Sequence, residues 1–171
     1  MTKLYKYANR KYTNHFLSSS FSLATMPVFI GIEGYTLPTC FILKELCVMY
    51  PNNDYDHYLF KRPSVDLTEV DHRTIRYATE KLNELCYSDG FVTYNQIGDT
   101  LDPVKDDIIF TYSDVAVCVL RKYLPTTVII NIQSKDFKMP KTLPESGCFR
   151  KHCQRYCAKA KAIEVKKFMG Y

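Results

Sequence analysis

Tryptophan is absent from this 171-residue chain, and glycine is scarce, at six residues. No stretch approaches the roughly 18 uncharged apolar residues that a membrane span requires. No apolar run follows the early basic residues Lys3, Lys6, Arg10 and Lys11, because Ser18, Ser19, Ser20 and Ser22 interrupt it. A secretory leader is therefore not expected, and reduced thiols inside a cell are. There is no G-x-S-x-G elbow, no glycine-rich phosphate loop, no C-x2-C pair, no repeat and no low-complexity tract. These absences leave acyl-transfer hydrolases, P-loop enzymes and zinc knuckles without support. Acid is short at both ends: none falls within the first eleven residues, and Arg150–Lys167 holds only Glu164.

What is present is a globular composition with two excesses, fourteen tyrosines and seven cysteines, and a net charge of +5. An odd number of thiols cannot all pair within one chain. The basic ends read as solvated helix faces ahead of a nucleic-acid surface, so nucleic acid is the less favoured partner and a membrane is not expected. Tyrosine joins a large rigid ring to a polar tip, which suits protein contacts. Tyr5, Tyr7, Tyr12, Phe16 and Tyr171 fall in the arm or at the terminus and are candidate assembly residues.

Periodicity divides the chain into an N-terminal helical arm, 1–26, and a domain, 27–171. Val28–Ile32, Cys40–Met49 and Tyr58–Phe60 read as strands separated by tight turns, and so as an antiparallel meander. A helix opens at Asp66 or Thr68 and runs to about Cys86 on the stripe Val70, Ile75, Ala78, Leu82, Leu85. Residues 88–107, with Gly90, Gly98 and Pro103, read as mostly loop. Ile108–Phe110 is a strand, Ser113 caps a helix to Leu124, and Thr127–Ile132 is a strand. After a loop over 133–147, Phe149–Met169 reads as a basic helix. The order β-β-β-α-β-α-β-α predicts an α/β fold: a ribonuclease H-like mixed five-stranded sheet flanked by helices.

Gly31-Ile32-Glu33-Gly34 on the first strand, Phe41–Leu46 on the second, and His152-x4-Cys157-Ala158 resemble the sequence blocks of DEDD-type 3′–5′ exonucleases over about residues 28–169. The second-strand text is also similar to exonuclease-like proteins of insect genomes and insect viruses. The resemblance implies a two-metal phosphodiesterase site in which four carboxylates hold the ions. Mapped onto this chain, the degenerate site is Glu33, Asp114 and His152, with Gly31 and Cys157 where the family has aspartates. Gly offers no ligand and Cys a soft one, so no nuclease activity, no catalytic residue and no cofactor are expected.

Cys148, His152, Cys153 and Cys157 lie close in sequence. Read as one helix, they do not close a tetrahedron, and no metal is expected there. Cys148, Cys153 and Cys157 are instead candidates for disulfides between chains. The arm, the tyrosines and the insect-virus flavour resemble in kind the polyhedrins, occlusion-body proteins of cypoviruses. That resemblance implies a self-assembling structural protein in the host cytoplasm, with itself and enclosed virus particles as partners, and dissolution by alkali. An active exonuclease and a nucleic-acid-binding module on the same fold are the alternatives.

Overall fold

The computed structural model describes residues 26–143, 148 and 156–171. The chain is α/β, with one mixed five-stranded sheet. Its strands are β1 Pro27–Thr36, β2 Phe41–Met49, β3 Tyr55–Leu59, β4 Ile108–Thr111 and β5 Val128–Asn131, in spatial order β3-β2-β1-β4-β5. The β1/β2 and β2/β3 pairs are antiparallel, as tight turns require, while β1/β4 and β4/β5 are parallel and need crossovers. The helices are α1 Glu69–Ala78, α2 Ile97–Leu101, α3 Asp114–Tyr123 and α4 Ala158–Phe168.

β1 is apolar on both faces because both are covered. Val28, Ile30 and Ile32 join Leu46, Val48 and Ile109 against Ile97 and Leu101 of α2 and Ala116, Val119 and Leu120 of α3. Phe29, Cys47, Met49 and Phe110 face Ala158, Ala162 and Val165 of α4. Small residues on α4 let its backbone approach the sheet closely. Tyr35, Leu37 and Ile42 pack on Ile75 and Ala78 of α1. Opposite β1, the β2 ladder skips one residue: Glu33 pairs with Glu45 and Gly34 with Leu43, so Lys44 is the extra residue of a bulge.

Several sequence expectations need correction. Residues 88–107 are not all loop, because α2 lies within them. Thr93 and Gln96 form a capping box, and Ile97, Leu101 and Val104 bury one stripe despite Gly98 and Pro103. The helix beginning after Thr68 is α-helical only to Ala78. A π-turn, Thr79–Asn83, follows and ends at Glu84 with φ 55°, short of Cys86. The basic helix does not run unbroken from Phe149 to Met169. Cys157 is extended (φ −85°, ψ 122°) and caps α4, its Sγ accepting the Ala160 N–H at 3.5 Å. Ser113 caps α3 as predicted. The arm residues Tyr5, Tyr7, Tyr12 and Phe16, together with His152 and Cys153, lie outside the described residues.

The tyrosine surplus is largely consumed by this domain's own core. Tyr35 is fully buried, and Tyr50, Tyr58, Tyr87, Tyr94, Tyr112 and Tyr123 pack against the clusters. Tyr55, Tyr77 and Tyr171 are the well-exposed ones among those described. Burial pushes the Tyr35 and Tyr94 phenols from 10.0 up to about 12. The folded chain thus keeps protons that the unfolded chain releases from about pH 10. This contribution is intact below pH 10 and is lost as pH rises toward 12. Denaturant midpoints measured from pH 8 to 12 should fall steeply above 10, and less so in Tyr35→Phe. A flat profile would contradict the burial argument.

Candidate functional site: the sheet face under the last helix

The face of β1 and β2 beneath α4 carries buried carboxylates beside its apolar groups. Strand alternation sends Gly31 and Glu33 of β1, and Glu45 of β2, to that side. Glu33 and Glu45 are buried, at 8% and 1% exposure, and stand directly opposite each other. Each carboxylate is held. Glu45 Oε2 accepts the Ala158 N–H at 3.0 Å, at the start of α4, and Oε1 lies 2.6 Å from His57 Nε2 on β3. Glu33 forms an ion pair with Lys161 and accepts the Gly34 N–H at 3.1 Å. Burial raises the Glu33 pKa above the usual carboxylate range; Lys161 opposes that shift, and the Glu45 charge adds to it.

Gly31 is where α4 touches the sheet. A Cβ there would sit 1.9 Å from the Ala158 carbonyl oxygen and 2.9 Å from the Ala162 nitrogen. The helix backbone therefore fills the space that a side chain at position 31 would need. Asp114 lies beyond the same end of the parallel β1/β4 pair as Glu33, since Ile30 and Thr111 are in register. Its carboxylate accepts from Asn131 Nδ2 at 2.8 Å, and Asn131 Oδ1 accepts the Ser113 N–H at 3.1 Å. That clamp holds Ser113 at φ 85°, an uncommon conformation for a residue with a Cβ.

The structure thus brings together Gly31, Glu33 and Cys157–Ala158, which the exonuclease resemblance connects, and sets Asp114 at the neighbouring strand end. The residues do not fit a pair of hard divalent ions. Position 31 has no side chain and no room for one. Cys157 offers a soft sulfur. Glu33 is neutralised by Lys161, and Asp114 is tied to Asn131.

Cys157 is buried at 1% exposure, 4.0 Å from Glu45 Oε1. Cys148, half-buried, lies 3.8 Å from the same oxygen and 3.9 Å from His57 Nδ1. Cys157 faces the chain's own interior, which removes it as a bridge to another chain in this conformation. The exposed Tyr171, a candidate assembly residue, packs against Phe29 with ring centroids 5.3 Å apart.

The basic charges of α4 are engaged within the chain. Lys159 lies 3.8 Å over the Tyr55 ring, and Lys161 pairs with Glu33. Lys166 donates to the Pro51 carbonyl at 2.7 Å and to Asn53 Oδ1 at 2.6 Å, and Lys167 meets Glu164 at 2.8 Å. Lys44 and Glu45 fall inside the Phe41–Leu46 block, where sequence reasoning gives them no role, and it does not single out His57 or Lys161. The signal for the latter two is an imidazole inside a short strand and a lysine on an alanine-rich helix.

Lys161→Met tests the Glu33 pair. It should cost roughly 2 kcal/mol near neutral pH, less than a fully dry pair would because Lys161 is partly exposed. Since the raised Glu33 pKa rises further without its cation, Glu33 protonates above the usual carboxylate range, and the loss should fade as pH falls toward that range. Equal destabilisation of the variant by urea at pH 4 and pH 7 would refute the pairing.

Among the described residues, no helix is long and apolar enough to cross a membrane. No family model matches the chain, and no curated protein matches it.

Proposed function

We propose that this chain is a catalytically silent protein on a ribonuclease H-like frame, and that its work is structural: association with other protein chains, beginning with copies of itself. The observation that carries this reading is the seating of the α4 backbone on Gly31, where an active relative would hold a metal-binding aspartate. The strand order and the two antiparallel and two parallel pairings support the frame. The internal engagement of Lys159, Lys161, Lys166 and Lys167 weighs against a nucleic-acid surface on the basic helix, which needs cations free to meet phosphates. Apolar groups that remain outside the core favour protein contacts: Val70 and Tyr77, two turns apart on α1, and Phe91, at 63% exposure. The narrower form of the proposal is the matrix of a viral occlusion body in the host cytoplasm. Because most described tyrosines serve the domain's own core, that form depends chiefly on the arm before residue 26.

Two measurements on the full chain test the reading. Incubation with single-stranded DNA and RNA in Mg²⁺ or Mn²⁺ should give no cleavage, and light scattering coupled to size-exclusion should give a mass that rises with concentration. Cleavage abolished by Glu33→Ala would overturn the silent site, and a monomer at every concentration would overturn self-association. Crystals in expressing cells are the result expected of the occlusion-body form.

A further inference from the structure

We propose that Cys148, Cys157 and Glu45 form a binding site for one zinc ion, oriented by His57. This site is independent of whether the chain self-associates. The sequence expectation against zinc assumed that the cysteines share one helix, and the fold removes that premise. Cys157 is the extended cap before α4, and Cys148 approaches from outside any helix or strand. Glu45 and His57 come from the neighbouring strands β2 and β3. Donors from separate segments can surround an ion, which donors along one helix face cannot.

The geometry is close to that of a loaded site. One oxygen of Glu45 and the sulfurs of Cys148 and Cys157 all lie within 4.8 Å of one another. Tetrahedral zinc, with bonds of about 2.3 Å to sulfur and about 2.0 Å to oxygen, places such atoms about 3.5 Å apart. The two sulfur–oxygen separations here, 3.8 and 4.0 Å, need to contract by no more than about half an ångström. His57 Nε2, 2.6 Å from Glu45 Oε1, fixes that carboxylate as a partner behind a metal ligand does, and its Nδ1 lies 3.9 Å from Cys148 Sγ, beside the remaining vertex. The Ala160 N–H directed at Cys157 Sγ suits a thiolate at a helix N-terminus.

The donor chemistry selects the ion. Two sulfurs and one carboxylate favour zinc over magnesium or calcium, which take oxygen alone. Binding displaces the thiol protons to solvent, and a fourth donor beyond these three ligands, water included, completes the tetrahedron. The ion would tie Cys148 to the start of α4 and to β2.

The test uses the full chain, purified with reductant and without chelator. Elemental analysis should find about one zinc per chain, and cobalt substitution should give the near-ultraviolet thiolate-to-cobalt absorption. Cys148→Ala and Cys157→Ala should each lose the ion and that absorption. Cys118→Ala, an exposed cysteine on α3, should keep both. His57→Gln should weaken zinc binding by about 10- to 100-fold while leaving the cobalt–thiolate absorption at saturating metal. A reduced wild-type chain that takes up no zinc or cobalt, or one that binds equally well without either cysteine, would overturn the proposal. So would a Cys148–Cys157 disulfide that persists in reductant.

Discussion

Gly31→Asp, the substitution that would rebuild the exonuclease's first metal ligand, is expected to unfold the domain instead of activating it. The new Cβ would lie 1.9 Å from the Ala158 carbonyl oxygen, inside the contact distance of any two heavy atoms. The obstacle is helix backbone, so no rotamer change relieves it; α4 must lift. Lifting α4 uncovers Phe29, Cys47 and Met49 and separates Glu45 from the Ala158 N–H and Glu33 from Lys161. Overpacking alone costs about 1–3 kcal/mol and more where backbone must move. A third carboxylate beside Glu33 and Glu45 adds repulsion in a buried place. Against a total stability of about 5–15 kcal/mol, the sum is disabling. Gly31→Ala separates the steric part, and its melting temperature should fall by about 10 °C. A Gly31→Asp chain that melts with the wild type would refute the packing argument, and one that also cleaved nucleic acid would refute the silent site.

Lys44→Met should be nearly as damaging, although it replaces a charge with an apolar side chain of similar length. Lys44 is fully buried at the bulge of β2. Its ammonium donates to the carbonyls of Phe60 at 2.5 Å, Tyr87 at 3.0 Å and Asp89 at 2.5 Å. Those carbonyls belong to the end of β3 and to the 87–91 turn, so one cation ties two segments to the sheet. Each acceptor left unpaired costs about 1–3 kcal/mol, and the total should reach about 3–5 kcal/mol. Lys105→Met is the control. Lys105 pairs with Asp102 at 3.0 Å on the surface, where solvent screens the pair, and its loss should leave the denaturation midpoint close to that of the wild type. Chemical denaturation of both variants decides the matter. Equal midpoints would mean that Lys44 is not a clamp.

The sheet was legible because its strands are β-branched and separated by turn residues, and because three early strands followed by α-β crossovers leave few topologies. The boundaries of α1 and α4 were not, since a π-turn and a cysteine cap carry no periodic signal. α2 was hidden by Gly98 and Pro103, which tertiary burial of Ile97 and Leu101 overrides. At the site, Gly31, Glu33 and Cys157 could be found because they sit at motif spacing. Glu45 and His57 could not: their meeting depends on the β2/β3 register and on the skipped residue at Lys44, both long-range properties. The placement of the described tyrosines was illegible for a related reason. Composition counts rings, and only the fold decides which of them face inward.

β1 lies at the centre of the sheet, bonded to β2 on one side and β4 on the other, and it is also the first strand among the described residues. A pulling force applied at Pro27 therefore loads the best-anchored strand, and its two ladders must shear before β1 can leave the sheet. At the other end, α4 is held by side-chain packing, its lysine and carboxylate contacts, and no ladder. The protein is in this sense mechanically polar. Among the described elements, pulling from the start of β1 meets the strongest resistance first, whereas pulling from the end of α4 strips the helix before the sheet is loaded.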